Sequence, residues 1–274
     1  MSGLLATSPA PGGGLEPGAL EQHLRARRAS GAKLLVPYLM AGMTPDWLAT
    51  LEAVVAAGAD AVEVGIPFSD PVMDGPVIQD AALASLAAGT TPESVLAALG
   101  EADIDVPLAV MTYYNLIFRA GHRRMARSLA AAGVAAAIVP DLSLEELGPW
   151  AEEAGDAGVE TVLLVAPSTS EARTAAICAR SRGFVYAVAR MGITGERADI
   201  GDAAAEVVAK IRRATDTPAL VGVGVSTPEQ ATAVCAHADG VVVGSALVRR
   251  LLAGEGPEGA ARFVGELRSA IDDG

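Results

Sequence analysis

The chain has 274 residues, half of them hydrophobic and only 4% aromatic, with a formal charge of −13. That length suits one large core or a single eight-unit α/β barrel, and small aliphatic side chains must fill most of it. The acidic balance argues against a nucleic-acid binder, which carries a basic face; it leaves room for an anionic substrate held by backbone N–H groups at helix N-termini.

Residues 1–17, MSGLLATSPAPGGGLEP, have no basic leader and no sustained apolar stretch. They read as a flexible tail, not a signal peptide, ahead of one folded domain over 18–274. A helix around 22–29 would close the bottom of a barrel. Strands are then predicted at 34–40, 61–67, 108–113, 135–140, 161–166, 184–189, 219–225 and 240–246. Most are continuous apolar runs, the mark of strands covered on both faces in a parallel sheet. Helices fall between them. Thr44-Pro45, Thr91-Pro92 and Thr227-Pro228 each place an N-cap residue before a proline. Ser143…Glu146, Ser168…Glu171 and Thr227…Gln230 have capping-box spacing. Gly58, Gly133 and Gly158 each follow a helical run and precede a strand, as a left-handed C-terminal turn requires. No apolar run reaches the roughly 18 residues of a membrane span.

Strands alternating with helices make either a doubly wound sheet or a closed barrel. No GxGxxG follows the first strand, and polar and glycine-rich residues cluster after several different strands. That pattern favours the α/β class, as a single (β/α)8 TIM barrel with an extra N-terminal helix and its active site at the C-terminal ends of the strands.

Cys178 and Cys235 form no CxxC motif and are expected to be reduced, buried thiols of a cytoplasmic protein. His23, His122 and His237 fall on helices or helix ends and are expected at the solvated surface. No His/Cys/carboxylate cluster suggests a metal. Lys33 precedes the first strand and Lys210 lies in a helix, so neither reaches the top of the barrel, which argues against a Schiff-base aldolase. Acid–base chemistry then falls to carboxylates and tyrosines. Glu63 stands inside an otherwise apolar strand. A buried carboxylate costs several kcal/mol in effective terms unless paired or protonated, so Glu63 is either a hydrogen-bonded structural group or a catalytic one with a raised pKa. Asp70 and Asp74 follow in a loop stiffened by Pro67, Pro71 and Pro76. They are turn-formers, or carboxylates facing Glu63 across the barrel mouth.

The run Glu63-Val-Gly-Ile-Pro-Phe-Ser-Asp-Pro-Val-Met-Asp74-Gly-Pro resembles the signature of the tryptophan synthase alpha family. Val36-Pro37-Tyr38, Met111-Thr112-Tyr113-Tyr114-Asn115, Arg190-Met191-Gly192-Ile193-Thr194-Gly195, Gly222-Val223-Gly224-Val225-Ser226 and Val243-Gly244-Ser245-Ala246 agree in order and spacing. The resemblance covers roughly residues 20–253. It implies retro-aldol cleavage of indole-3-glycerol phosphate to indole and glyceraldehyde 3-phosphate, with Glu63 as general acid/base and Asp74 accepting from the indole N–H. It implies further that Tyr38, Met111 and Ile138 line the indole pocket with Tyr186 beside the carboxylates, and that Val223 packs against the ring where a larger residue is common. The phosphate would sit on backbone N–H groups around Gly195, Gly224, Gly244 and Ser245, and Thr194 and Gly222 are implied to touch the substrate as well. Gly244-Ser245 opens a short helix whose dipole favours an anion; the other account of these glycines is tight βα turns.

The family also implies a pyridoxal-phosphate-dependent beta subunit as partner in an α2β2 assembly, with no cofactor in this chain. Pro67, Asp70 and Tyr113, with the loop at 190–197, would form the contact and the lid. A free-standing lyase that releases indole is the alternative.

Overall fold

The computed structural model describes residues 16–188, 200–222 and 224–274. Residues 1–15, nearly all of the expected tail, lie outside the described residues. After helix α1 (Ala19–Ala29) come β1 (Leu34–Met40), α2 (Trp47–Ala56), β2 (Val62–Gly65), α3 (Pro76–Ala87), α4 (Pro92–Glu101), β3 (Leu108–Met111), α5 (Tyr114–Ala120), α6 (His122–Ala131) and β4 (Val134–Ile138). There follow α7 (Gly148–Asp156), β5 (Glu160–Val165), α8 (Glu171–Arg180), β6 (Val185–Val188), α9 (Ile200–Ala214), β7 (Ala219–Gly222), α10 (Pro228–Cys235), β8 (Gly240–Val243), α11 (Ser245–Leu252) and α12 (Gly256–Asp273). The eight strands pair in parallel in chain order, and β8 closes onto β1. This is the expected TIM barrel with its extra N-terminal helix.

Most strands stop short of their predicted upper ends. The prediction carried the second strand to Pro67, but the ladder ends at Gly65. Proline has no N–H to give a neighbour, and the same holds at Pro140 and Pro167. The residues shed from the ladders become the loops of the barrel top.

The turn glycines behave as expected: Gly58, Gly133 and Gly158 take φ of 103°, 72° and 78° between a helix and the next strand. Thr91 caps α4 in a reciprocal box with Ser94. Thr227 accepts from the Gln230 N–H, but the Gln230 carboxamide turns to the Ser226 N–H at 2.8 Å, so that box is only half made. Three expected helix starts are corrected. Thr44-Pro45 lies in a turn, and α2 begins at Trp47. Ser143 and Glu146 bond to each other through their side chains, which leaves neither to cap, and α7 begins at Gly148. The cap of α8 is Ser170, not Ser168.

The core has two parts. Helices pack on the outside of the barrel through one large aliphatic layer. Inside, a second cluster joins Leu34, Val36, Ala61, Ala109, Ala136, Val162, Phe184 and Leu220 of the strands and their approaches with Leu20 and Leu24 of α1. Inward positions recur every second residue, and their character changes with height. β1 presents Leu34, Val36 and then Tyr38; the second strand presents Ala61, Glu63 and then Gly65; the sixth presents Phe184, Tyr186 and then Val188. The lower storey is therefore aliphatic and filled, with α1 as its floor. Glu160 at the foot of β5 fastens that floor by accepting from the Gly18 and Leu20 N–H groups at 3.1 and 2.8 Å. Among the described residues, no single helix is long and apolar enough to cross a membrane.

Candidate active site

The upper storey holds a cavity of about 280 Å³ at the C-terminal ends of the strands. Tyr38 of β1 is in register with Glu63 of β2. Both lie on the cavity wall with Asp74 and Gly75 from the loop that leaves β2, Met111 of β3, Tyr186 of β6, Gly222, Gly224, Gly244 and Ser245. The tyrosines owe their places to glycines. Tyr186 leans on Gly222, where an added Cβ would lie 2.5 Å from Cε1, and Tyr38 covers Gly65, where a Cβ would clash with the Tyr38 hydroxyl.

Glu63 has 0% exposure, and neither carboxyl oxygen has a hydrogen-bond partner among the described residues. The hydrogen bonds that a structural role would require are absent among the described residues. Burial pushes its pKa from 4.5 up to about 8, and the nearby Asp74 charge pushes the same way. Glu63 is thus mostly protonated at neutral pH. Asp74 is different. Burial raises its pKa as well, but a hydrogen bond from the Tyr113 hydroxyl to Oδ2, 3.1 Å long, opposes the rise by favouring the anion. Two carboxyls in one cavity therefore have different partners, one a free acid and one a held acceptor, which is the arrangement that divides acid–base roles. Burial holds the phenols of Tyr38 and Tyr186 well above their ordinary pKa, and both carboxylates reinforce it; both tyrosines stay neutral.

Of the other expected site residues, Ile138 is the register partner of Met111 and is fully buried in the interior cluster, and Pro140, two residues higher on the same inward row, lies on the cavity wall. Tyr113 and Pro67 are buried, and Asp70 is exposed and takes a hydrogen bond from the Ser69 hydroxyl at 2.6 Å. Thr194, Gly195, Val223 and the loop at 190–197 lie outside the described residues. The sequence reading missed Met73, Ile78, Leu164, Val188 and Val242 on the wall. Leu164 was within reach, because it is in register with Tyr186; Met73 and Ile78 come from a loop and a helix turn, where strand alternation says nothing.

No group of three or more His, Cys, Asp or Glu among the described residues could hold a metal ion. His237 is exposed, whereas His23 and His122 are half-buried, and His122 bonds the Tyr114 hydroxyl at 3.0 Å beneath a stacked ring. That corrects the expectation of a freely solvated imidazole at 122. Lys33 bonds the Ala238 carbonyl and Lys210 the Pro167 carbonyl, away from the cavity. Cys178 and Cys235 are free and buried, as expected.

A family model described as tryptophan synthase alpha chain matches residues 24–270. The tryptophan synthase alpha chain of Streptomyces coelicolor is 46% identical over 258 residues, 92% of this chain and 94% of that protein. That of Halorhodospira halophila is 44% identical over 263 residues, 93% and 96% of the two chains. Among solved structures, tryptophan synthase from Mycobacterium tuberculosis matches with a TM-score of 0.85 at 39% identity, covering 93% of this chain and 99% of that one. With the signature run lining a cavity at the barrel top and the match extending over nearly the whole length, the chain belongs to the tryptophan synthase alpha chain family.

Proposed function

We propose that Glu63 and Asp74 carry out the cleavage of indole-3-glycerol phosphate in the cavity of the upper storey. The family is that of the lyase subunit of L-tryptophan biosynthesis, and the chain is a carbon–carbon lyase of that kind. The observation that carries the residue assignment is the buried, unpartnered Glu63 in the same cavity as an Asp74 carboxyl held by the Tyr113 hydroxyl. Glu63 gives its proton to the indole carbon that bears the glycerol chain, while Asp74 accepts from the ring N–H and stabilises the positive charge. The bond between ring and side chain then breaks. Its electron pair returns to the ring, the side-chain hydroxyl loses its proton to Glu63, and indole and glyceraldehyde 3-phosphate result. The proton balance is closed, so the reaction needs no cofactor in this chain.

Tyr38, Met111 and Tyr186 would bound the indole. Thr194 and Val223 complete the pocket in this proposal. The phosphate is assigned to N–H groups at Gly195, Gly222, Gly224, Gly244 and Ser245. In support, α11 starts at Ser245 behind Gly244 with no side-chain cap, so its first-turn donors are open, and both residues line the cavity.

The partner is proposed to be a pyridoxal-phosphate-dependent beta chain in a cytoplasmic α2β2 complex that meets the barrel top around Pro67, Asp70 and Tyr113. Apolar exposure supports this: Val72 and Met73 of the loop after β2 are 80% and 58% exposed, and Phe118 of α5 is 68% exposed. The test is indole release from indole-3-glycerol phosphate by the purified chain, with and without a beta chain. Weak activity that rises many-fold with the partner is expected; strong activity alone would favour the free-standing lyase, and none in either case would overturn the assignment.

A further inference from the structure

Tyr113 follows β3 at the cap position of α5 and is buried. Three contacts tie it to the loop that carries Asp74. Its ring stacks on Phe68, with centroids 5.0 Å apart and planes at 24°. Its oxygen accepts from the Met73 N–H at 3.0 Å and its hydroxyl donates to Asp74 Oδ2 at 3.1 Å. A phenol has one proton. Because the Met73 N–H occupies a lone pair, that proton is directed at the carboxylate. The resulting bond has a charged acceptor and belongs to the stronger kind.

We infer that Tyr113 is a positioning residue, whose hydroxyl, anchored by the backbone of the loop it serves, fixes the orientation of the Asp74 carboxylate before substrate arrives. The catalytic consequence rests on the function proposed above. The clamp occupies Oδ2 and leaves Oδ1 without a protein partner among the described residues, the oxygen that would meet the indole N–H. Its counterpart Glu63 has no such holder. The clamp also ties two loops together, since one hydroxyl bonds both the Met73 backbone and the Asp74 carboxyl. Burial pushes the Asp74 carboxyl up and the Tyr113 bond pulls it down, so removing the hydroxyl shifts the titration of Asp74 upward.

The test is Tyr113→Phe, which keeps the ring against Phe68, with 3-fluorotyrosine at 113 as a second variant that keeps both hydrogen bonds and strengthens the donor. Indole release is followed against pH for the isolated chain and for the complex with a beta chain. Carbon-13 NMR follows the Asp74 carboxyl, assigned with Asp74→Asn. For Tyr113→Phe, kcat is expected to fall about 10- to 100-fold, the cost of a misplaced catalytic group. The ascending limb of the pH profile should move to higher pH while the descending limb, set by Glu63, stays. Fluorotyrosine should move the ascending limb the other way. A fall in kcat with both limbs in place would reduce Tyr113 to packing, and an effect seen only with the beta chain would make it an interface residue; either overturns the inference. If the wild-type chain releases no indole, the proposed function fails, and the NMR titration decides the clamp alone: an Asp74 carboxyl that titrates identically in wild type and Tyr113→Phe refutes it.

Discussion

Glu63 links the stability of the fold to pH in a way that one substitution isolates. In the unfolded chain its carboxyl titrates near 4.5; in the folded barrel burial raises that to about 8. The folded state thus holds a proton that the unfolded state has lost at intermediate pH. Its contribution is fully present below about 4.5 and declines as pH rises towards 8. Each pH unit in that window is worth about 1.4 kcal/mol, so between pH 5.5 and 7.5 the wild-type chain should lose about 3 kcal/mol relative to Glu63→Gln, which does not titrate. The amide has its own cost of burial, but that cost is the same at every pH and leaves the slope untouched. For a domain of this size 1 kcal/mol is about 2 °C in Tm, so the gap between variant and wild type should widen by roughly 6 °C across those two units. Thermal unfolding followed by circular dichroism in matched buffers measures it. Parallel Tm curves for the two proteins would refute the reasoning, since they would mean that Glu63 is solvated or ion-paired in solution. The same variant should lose at least about 10²-fold in turnover, so the protein whose stability holds better towards pH 7.5 should also be the poorer catalyst.

Gly222→Ala places a methyl group 2.5 Å from Tyr186 Cε1. It should cost about 1–3 kcal/mol in urea unfolding and far less in a Tyr186→Ala background; equal costs in both would mean that strand and ring do not meet. Ser245→Asp puts a carboxylate in the first turn of α11, where it suits the helix dipole but competes for the proposed phosphate site. KM for indole-3-glycerol phosphate should rise at least about tenfold by charge repulsion without a fall in Tm, and an unchanged KM would move the phosphate elsewhere. Glu160→Gln weakens the acceptor for the Gly18 and Leu20 N–H groups. It should cost about 1–2 kcal/mol, as loss of a helix cap does, and speed hydrogen exchange in α1, while kcat stays at the wild-type value because the site lies at the other end of the barrel.

The fold was legible because its signal is local and repeated: apolar runs, caps and turn glycines recur unit by unit. Errors arose where a side chain had two partners to choose from. Ser143 chose Glu146 over a helix end, and Gln230 chose Ser226 over Thr227. In the site, Glu63 was legible because a carboxylate in an apolar strand is a local anomaly, whereas Asp74 needed the family resemblance. The clamp on Asp74 was not legible, because residues 39 apart meet only through the path of a loop. Ile138 and Pro140 share an inward row, and sequence alone does not give the height at which the filled core yields to the cavity.

The filled lower storey has a consequence for traffic. With α1 sealing the base and aliphatic side chains filling the layer above it, the described barrel is a blind vessel. Water, substrate and product all share one neck at the top, and the Glu63 proton exchanges with solvent only through it. Whatever covers that neck therefore decides whether indole, once formed, escapes to solvent or is handed on.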